Sequence, residues 1–398
     1  MAAPADAASA SDSLNIETTN GSILHRLAGY ARAEETGTGP SPIKIYLIAV
    51  AITFLPLLAA ALLSPLPVAA RSPSLRLPFL YDWNVMFMFL VSFPCLAVLT
   101  LTDQAALVSS LDKVQRDGTV VASLPGAQDL SRRWRDRFTT ANVMAQVVGL
   151  ATGLVLAYLN YRTYAPARVG FWIARGGTLL PVGYVFLWCI FAFYALVPLY
   201  VFRCLATSLF LRDLVAHTQL RMLPFHPDHC GGLRPVGRLG LRNQYALTVF
   251  GLNVVLLVVI SLYYLRVPPS LYGLIIAAGI AYLVLGPVVF IGPLLPFRAA
   301  MLRTKADLLS AVAQRLRVEL QGMQGKLSAG TITKDEEELV DRLRKVGAVI
   351  DELPVWPFDA GTLRKFATAY LLPLLGAVSS PVITALLEYV APWLHPSP

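Results

Sequence analysis

Charge is what this sequence lacks most. Asp, Glu, Lys and Arg together make up 14% of its 398 residues, against about 25% in an ordinary soluble domain. With 56% apolar residues and a mean hydropathy of +0.60, the chain is excluded from the soluble class. Cysteine is scarce too. Cys95 and Cys189 lie in apolar stretches, Cys204 at the end of one and Cys230 in a loop, so no disulfide framework emerges. Neither a Ser-His-Asp nor an HExxH pattern is present. Inside the apolar stretches the only ionisable side chain counted is Glu388, near the outer end of the last one. Asn142, Gln146, Asn160 and Asn253 are the sparse polar groups there. Intramembrane ionisable groups ordinarily mark ion or proton pathways, so this poverty argues against a proton-coupled transporter and an intramembrane protease.

What the sequence has in abundance is long uncharged runs. Seven stretches are long enough to cross a hydrocarbon core of about 30 Å: 45–63, 83–101, 141–159, 179–202, 246–265, 271–297 and 367–390. The expected fold is all-α, a polytopic membrane protein of about seven transmembrane helices with a cytoplasmic helical hairpin. Residues 1–42 are rich in Ala, Ser, Thr and Gly and are expected to form a disordered cytoplasmic tail, with a short surface helix over Ser22–Tyr30. No cleavable signal peptide is expected, because the first apolar run is too long for an h-region. Residues 43–297 form a six-helix membrane region with cytoplasmic loops at 102–138 and 203–244. Residues 298–353 are the hairpin, and 354–398 a re-entry segment and last membrane helix. The basic patch Leu130–Phe138, with Trp134 and Phe138, suits a membrane surface. Gly149 and Gly153 form a GxxxG match, which points to a homo-oligomer.

Lys and Arg divide unevenly between the two sides of this arrangement. Of the 33 in the chain, 27 fall in the tail, the 102–138 and 203–244 loops and the hairpin region, and 6 on the opposite side. The positive-inside rule then places the N-terminus in the cytoplasm and the C-terminus outside, in an inner (plasma) membrane. The net charge of +9 belongs to that flanking pattern, with lipids rather than nucleic acid as partner.

The chain is organised around Leu271–Phe366. Gly273, Gly279, Gly286 and Gly292 recur at near-heptad spacing and leave a smooth strip for helix packing or for a pore. Pro287, Pro293 and Pro296 invite a kink in the last third. Beyond it, Leu309, Val312, Leu316, Leu320, Met323 and Leu327 line one face of a first hairpin helix. Leu339, Leu343, Val346, Ile350 and Leu353 line the second, which Thr333 and Glu336 start with a capping box.

The most unusual loop is Phe225-His226-Pro227-Asp228-His229-Cys230-Gly231-Gly232-Leu233. His226, Asp228, His229 and Cys230 have the donor chemistry of a zinc site. Their spacing is poor, however, and the other histidines, His25, His217 and His395, lie elsewhere. The alternative is a rigid turn set by Pro and Gly, with Asp228 accepting local amides. A third reading has the Gly231-Gly232 amides and Arg234, Arg238 and Arg242 hold phosphate, lipid before nucleotide, since the strand-loop-helix context of a phosphate loop is missing. Arg364 and Lys365 flank the last membrane helix, where they would meet lipid phosphates. Trp356 and Phe358 suit an interfacial anchor.

This HPDxxGGL-type loop, the helical hairpin and the Pro354-Val355-Trp356-Pro357-Phe358-Asp359 re-entry resemble certain multi-pass bacterial membrane proteins of unassigned function. The resemblance covers roughly Pro224–Pro381, and implies that the loop matters without bringing an activity. No cofactor is expected beyond the zinc alternative. The expected function is non-enzymatic: a channel-like assembly, or a sensor or scaffold acting through the hairpin. The alternatives are a membrane-embedded metal-dependent enzyme using the His226–Cys230 loop, or a transporter of a neutral substrate.

Overall fold

In the computed structural model the described residues are 41–69, 75, 77–121, 124–164, 171–220, 226–260, 269–329, 331 and 333–376. The tail, with the helix expected over Ser22–Tyr30, and most of the 367–390 run with Glu388 lie outside them. Ten helices order the remainder: α1 Pro42–Leu62, α2 Trp83–Phe87, α3 Phe93–Arg116, α4 Leu124–Tyr164, α5 Pro181–His217, α6 Arg234–Ile260, α7 Pro269–Ile291, α8 Leu295–Ala329, α9 Lys334–Asp351, and α10, described over 360–376. Among the described residues six helices are long and apolar enough to cross a membrane. The protein is a polytopic all-α membrane protein.

Two interruptions follow from proline. A π-helical turn, Met88–Ser92, joins α2 to α3. Pro94 supplies no amide to the carbonyl of Leu90, and the hydroxyl of Tyr46 on α1 takes its place. The second is the kink expected from the prolines after Gly286. A 3-10 turn at Gly292–Leu294 separates α7 from α8, so the membrane helix runs into the hairpin with one break.

The expected loops at 102–138 and 203–244 are largely helix. α3 runs on to Arg116, α4 starts at Leu124, α5 reaches His217 and α6 already begins at Arg234. Polarity ends an apolar run without ending a helix, which needs only backbone bonding and a packed face. These extensions enclose a second core at the hairpin end, built on Leu107, Trp134, Phe138, Phe210, Phe290 and Phe297. Trp134 and Phe138, expected at a membrane surface, are therefore buried. Trp134 Nε1 donates to Asp213 at 3.2 Å, and its ring meets that of Phe210 edge-on. A separate core at the opposite end gathers Phe79, Phe89, Phe193 and Trp172. There Asp82 caps α2 and accepts from Trp172 Nε1 at 3.0 Å.

The GxxxG pair is consumed inside the chain. A Cβ at Gly149 or Gly153 would collide with the α5 backbone at Ala195 or Phe191. In the hairpin, α8 and α9 pack through Leu309, Val312 and Ile350, all in or against the hairpin-end core, with Met323 buried further along. Thr333 and Glu336 form the capping box, and Lys305–Asp351 at 3.0 Å and Lys326–Glu336 at 2.6 Å tie the helices. Leu320 and Val346 depart from the expected stripes, being exposed by 44% and 47%. Gly347 instead turns toward Val312, because α9 is rotated enough to put a small residue in the seam.

Candidate functional site

The His226–Leu233 turn closes on one side chain. Asp228 Oδ1 accepts from the amides of Cys230 at 2.8 Å and Gly232 at 3.0 Å, and Oδ2 accepts from Arg234 at 3.1 Å. Three amides that could have cradled a phosphate therefore hold the loop's own carboxylate, which also caps the first turn of α6. His226 Nδ1 lies 2.7 Å from Asp228 Oδ1. Burial pushes the Asp228 carboxyl up, but these amides and His226 outweigh it and hold it below its ordinary value. The backbone pays in conformation: His229, Gly231 and Gly232 all have positive φ. Gly232 also lies so close to the buried Thr119 that a Cβ would overlap its hydroxyl.

Of the four candidate zinc ligands only His226 and Asp228 come together, and Asp228 is spent on amides; His229 is exposed and Cys230 fully buried. Burial first, then the nearby Asp228 and Asp359 carboxylates, pushes the Cys230 thiol up to about 12. Among the described residues no three His, Cys, Asp or Glu side chains form a group able to hold a metal ion. The residues present do not fit a zinc centre.

From this turn the chain is pinned to the re-entry segment. Arg234 pairs with Asp359 at 3.0 Å, and Gly237 presses on the carbonyl of Pro357. Asp359 also caps α10, accepting from the Thr362 amide at 2.9 Å, and the Thr362 hydroxyl and amide lower its pKa. Six aromatic rings then run back into the bundle in sequence. Trp356 meets Phe358 at 5.1 Å between centroids, Phe358 meets Phe290 at 5.5 Å, and Phe290 stacks on Phe366 at 4.1 Å. Phe366 stacks on Tyr370 and Tyr370 on Tyr282. Arg298, at the start of α8, covers the Trp356 ring at 4.6 Å. Two reciprocal hydrogen bonds finish the join: Tyr282 Oη donates to the Tyr370 carbonyl at 3.0 Å and Tyr370 Oη to the Leu283 carbonyl at 2.8 Å.

The glycine strip of α7 is used at one position. A Cβ on Gly286 would enter the Tyr370 ring, whereas at Gly279 and Gly292 it would meet nothing among the described residues. The side-chain position of Gly273 lies outside the described set. The smooth face belongs to α6 instead. Gly237 meets Pro357, Gly240 the Phe290 carbonyl and Gly251 the Tyr282 ring, while Thr248 Oγ1 donates to the Ala369 carbonyl at 2.9 Å.

A further cluster was missed from sequence. Arg203 on α5 is 4% exposed. Its Nε donates to Asn142 Oδ1 on α4 at 3.2 Å, and its Nη1 to the Thr100 carbonyl on α3. Arg242, one of the three arginines proposed for lipid phosphate, turns inward. It donates to the Leu99 carbonyl at 2.6 Å, the Thr102 carbonyl at 3.1 Å and Thr102 Oγ1 at 2.7 Å. Buried Asp103 faces both guanidiniums. Sequence reasoning passed over Asp103 and Arg203 because each sits just past the end of an apolar run. Their spacing from Thr100 and Thr207 on shared helix faces was the available signal. Arg238, Arg364 and Lys365 are exposed.

Comparison with protein-family models, with curated proteins and with solved structures returns no match. The class is set by the fold alone, a polytopic all-α membrane protein.

Proposed function

We propose that this protein is a non-enzymatic membrane scaffold or sensor of the inner membrane, whose cytoplasmic hairpin is its output element. The observation carrying this reading is the aromatic ladder from Trp356 to Tyr282. It couples the re-entry segment and α10 to α7, and α7 continues into the hairpin through one 3-10 turn. A change in the packing of α7 on α10 is thereby transmitted to α8. The 27-to-6 division of Lys and Arg supports a cytoplasmic hairpin and N-terminus. Exposed apolar side chains along α1 and α4, among them Leu47, Ile52, Val147 and Leu154, fit a lipid annulus, and Arg238, Arg364 and Lys365 fit its phosphates.

The channel alternative loses its main motive, since the space beside Gly286 is filled by a tyrosine ring. Hydrogen exchange in nanodiscs tests the proposal. Amides of 295–301 and 350–366 should lose protection together in Tyr370→Leu. Ion flux in liposomes that responds to Gly286→Leu would overturn the reading in favour of a channel. Stoichiometric zinc lost in Cys230→Ser would overturn it in favour of an enzyme.

A further inference from the structure

Helix α8 packs on α9 through one side and leaves the adjoining side open. There Ala306, Ala313 and Leu320 recur at seven-residue spacing, all exposed. Ala313, Leu316, Arg317, Leu320, Gln321 and Gln324 line an open groove of about 380 Å³. Running along a single helix, it has the shape that takes the apolar side chains of another helix. Charge marks it as well. The ion pairs of α8 use Lys305, Arg315 and Lys326, which leaves exposed Arg303 and Arg317 without a carboxylate partner among the described residues.

Residues 1–40 hold the complementary features. Their side chains carry five carboxylates, Asp6, Asp12, Glu17, Glu34 and Glu35, against Arg26 and Arg32. Ile23, Leu27 and Tyr30 recur at the i, i+4, i+7 spacing of a groove-binding helix. An even number of crossings, six among the described residues, separates the tail from the hairpin, so both lie on one side of the bilayer whichever way the chain is oriented. Extended, residues 31–41 reach roughly 36 Å, and Ala313 lies roughly 27 Å along α8 from Leu295.

We propose that residues 22–30 of the same chain dock as a helix in this groove, antiparallel to α8, with Glu34 and Glu35 toward Arg303. A segment this short does not hold a helix alone, but its tether supplies an effective concentration on the order of millimolar. A second copy seated α8 on α8 would instead set the same arginines against each other. The inference does not rest on the role assigned to the hairpin.

Photocross-linking tests it in proteoliposomes holding a mixture of isotopically labelled and unlabelled full-length chains. A benzophenone amino acid stands in place of Gln324, and mass spectrometry identifies the products. The expected product joins position 324 to residues 22–30 within one chain. Leu27→Asp, which alters no described residue, should weaken docking about tenfold or more, the loss of one buried leucine. A product joining labelled to unlabelled chains would assign the groove to a second copy, and a product with lipid alone would assign it to the membrane surface; either overturns the proposal. So would a chain with no tail product, or a yield that Leu27→Asp leaves unchanged.

Discussion

Asp228 gathers three backbone amides at 2.8, 3.0 and 3.1 Å, and its neighbour His229 points outward with a positive φ. Asp228→Ala would leave those donors unpaired and uncap α6, at a cost of about 2–4 kcal/mol. His229→Ala should change stability by less than about 1 kcal/mol. Thermal unfolding in detergent checks both. Because the folded Asp228 pKa is depressed, its contribution is complete above the ordinary carboxylate value near 3.9. It is lost as pH falls through the folded value. Asp228→Asn should therefore flatten the acid limb of the stability curve below about pH 4, and an unchanged limb would remove the carboxylate from this role. At this scale the sequence was legible in part. Pro227, Gly231 and Gly232 announce a turn, and Asp228 an acceptor of its amides. Whether the amides would hold Asp228 or a phosphate depended on how the loop closes over Thr119, a contact between residues 113 positions apart that local spacing does not encode.

Between elements, the decisive fits are glycine against ring. Gly286 admits Tyr370, and Gly251 admits Tyr282. Gly286→Leu would force a branched side chain into the Tyr370 ring, and overpacking of this kind costs about 1–3 kcal/mol or more. Gly279→Leu, which meets nothing among the described residues, should be tolerated, as should Leu285→Ile at a position 42% exposed. Equal melting temperatures for the Gly286 and Gly279 variants would contradict the packing described. The heptad spacing of the α7 glycines was visible in the sequence, but spacing alone does not say which members face a neighbour. The α6 face of Gly237, Gly240, Thr248 and Gly251 went unread because its first members precede the apolar run. Helix α5 shows the same limit. Its apolar run ends at Phe202, while Arg203, Thr207 and Phe210 continue the buried face.

For the whole molecule, the seven apolar runs made the class plain, since each needs a bilayer to bury it. Their polar extensions were harder to place. The structure turns 102–138 and 203–244 mostly into helix and packs them into a second core, so the hairpin stands on a buried base rather than on loops. Sidedness follows from charge: labels at Gly118 and in the 322–326 stretch of α8 should be shielded from externally added reagent in intact cells and become reactive on permeabilisation. External labelling of the hairpin would contradict the orientation proposed.

The central claim is that the ladder makes bundle and hairpin move as one body. Spin labels introduced through non-natural amino acids at the exposed positions Gln321 on α8 and Thr368 on α10 leave the four cysteines untouched. Their distance distribution, measured by double electron–electron resonance in nanodiscs, reads the coupling directly. The account expects one narrow distribution in the unsubstituted protein, and a broadened or shifted one in Tyr370→Leu, with the chain still folded. A distribution already broad in the unsubstituted protein, or one that Tyr370→Leu leaves unchanged, would contradict it.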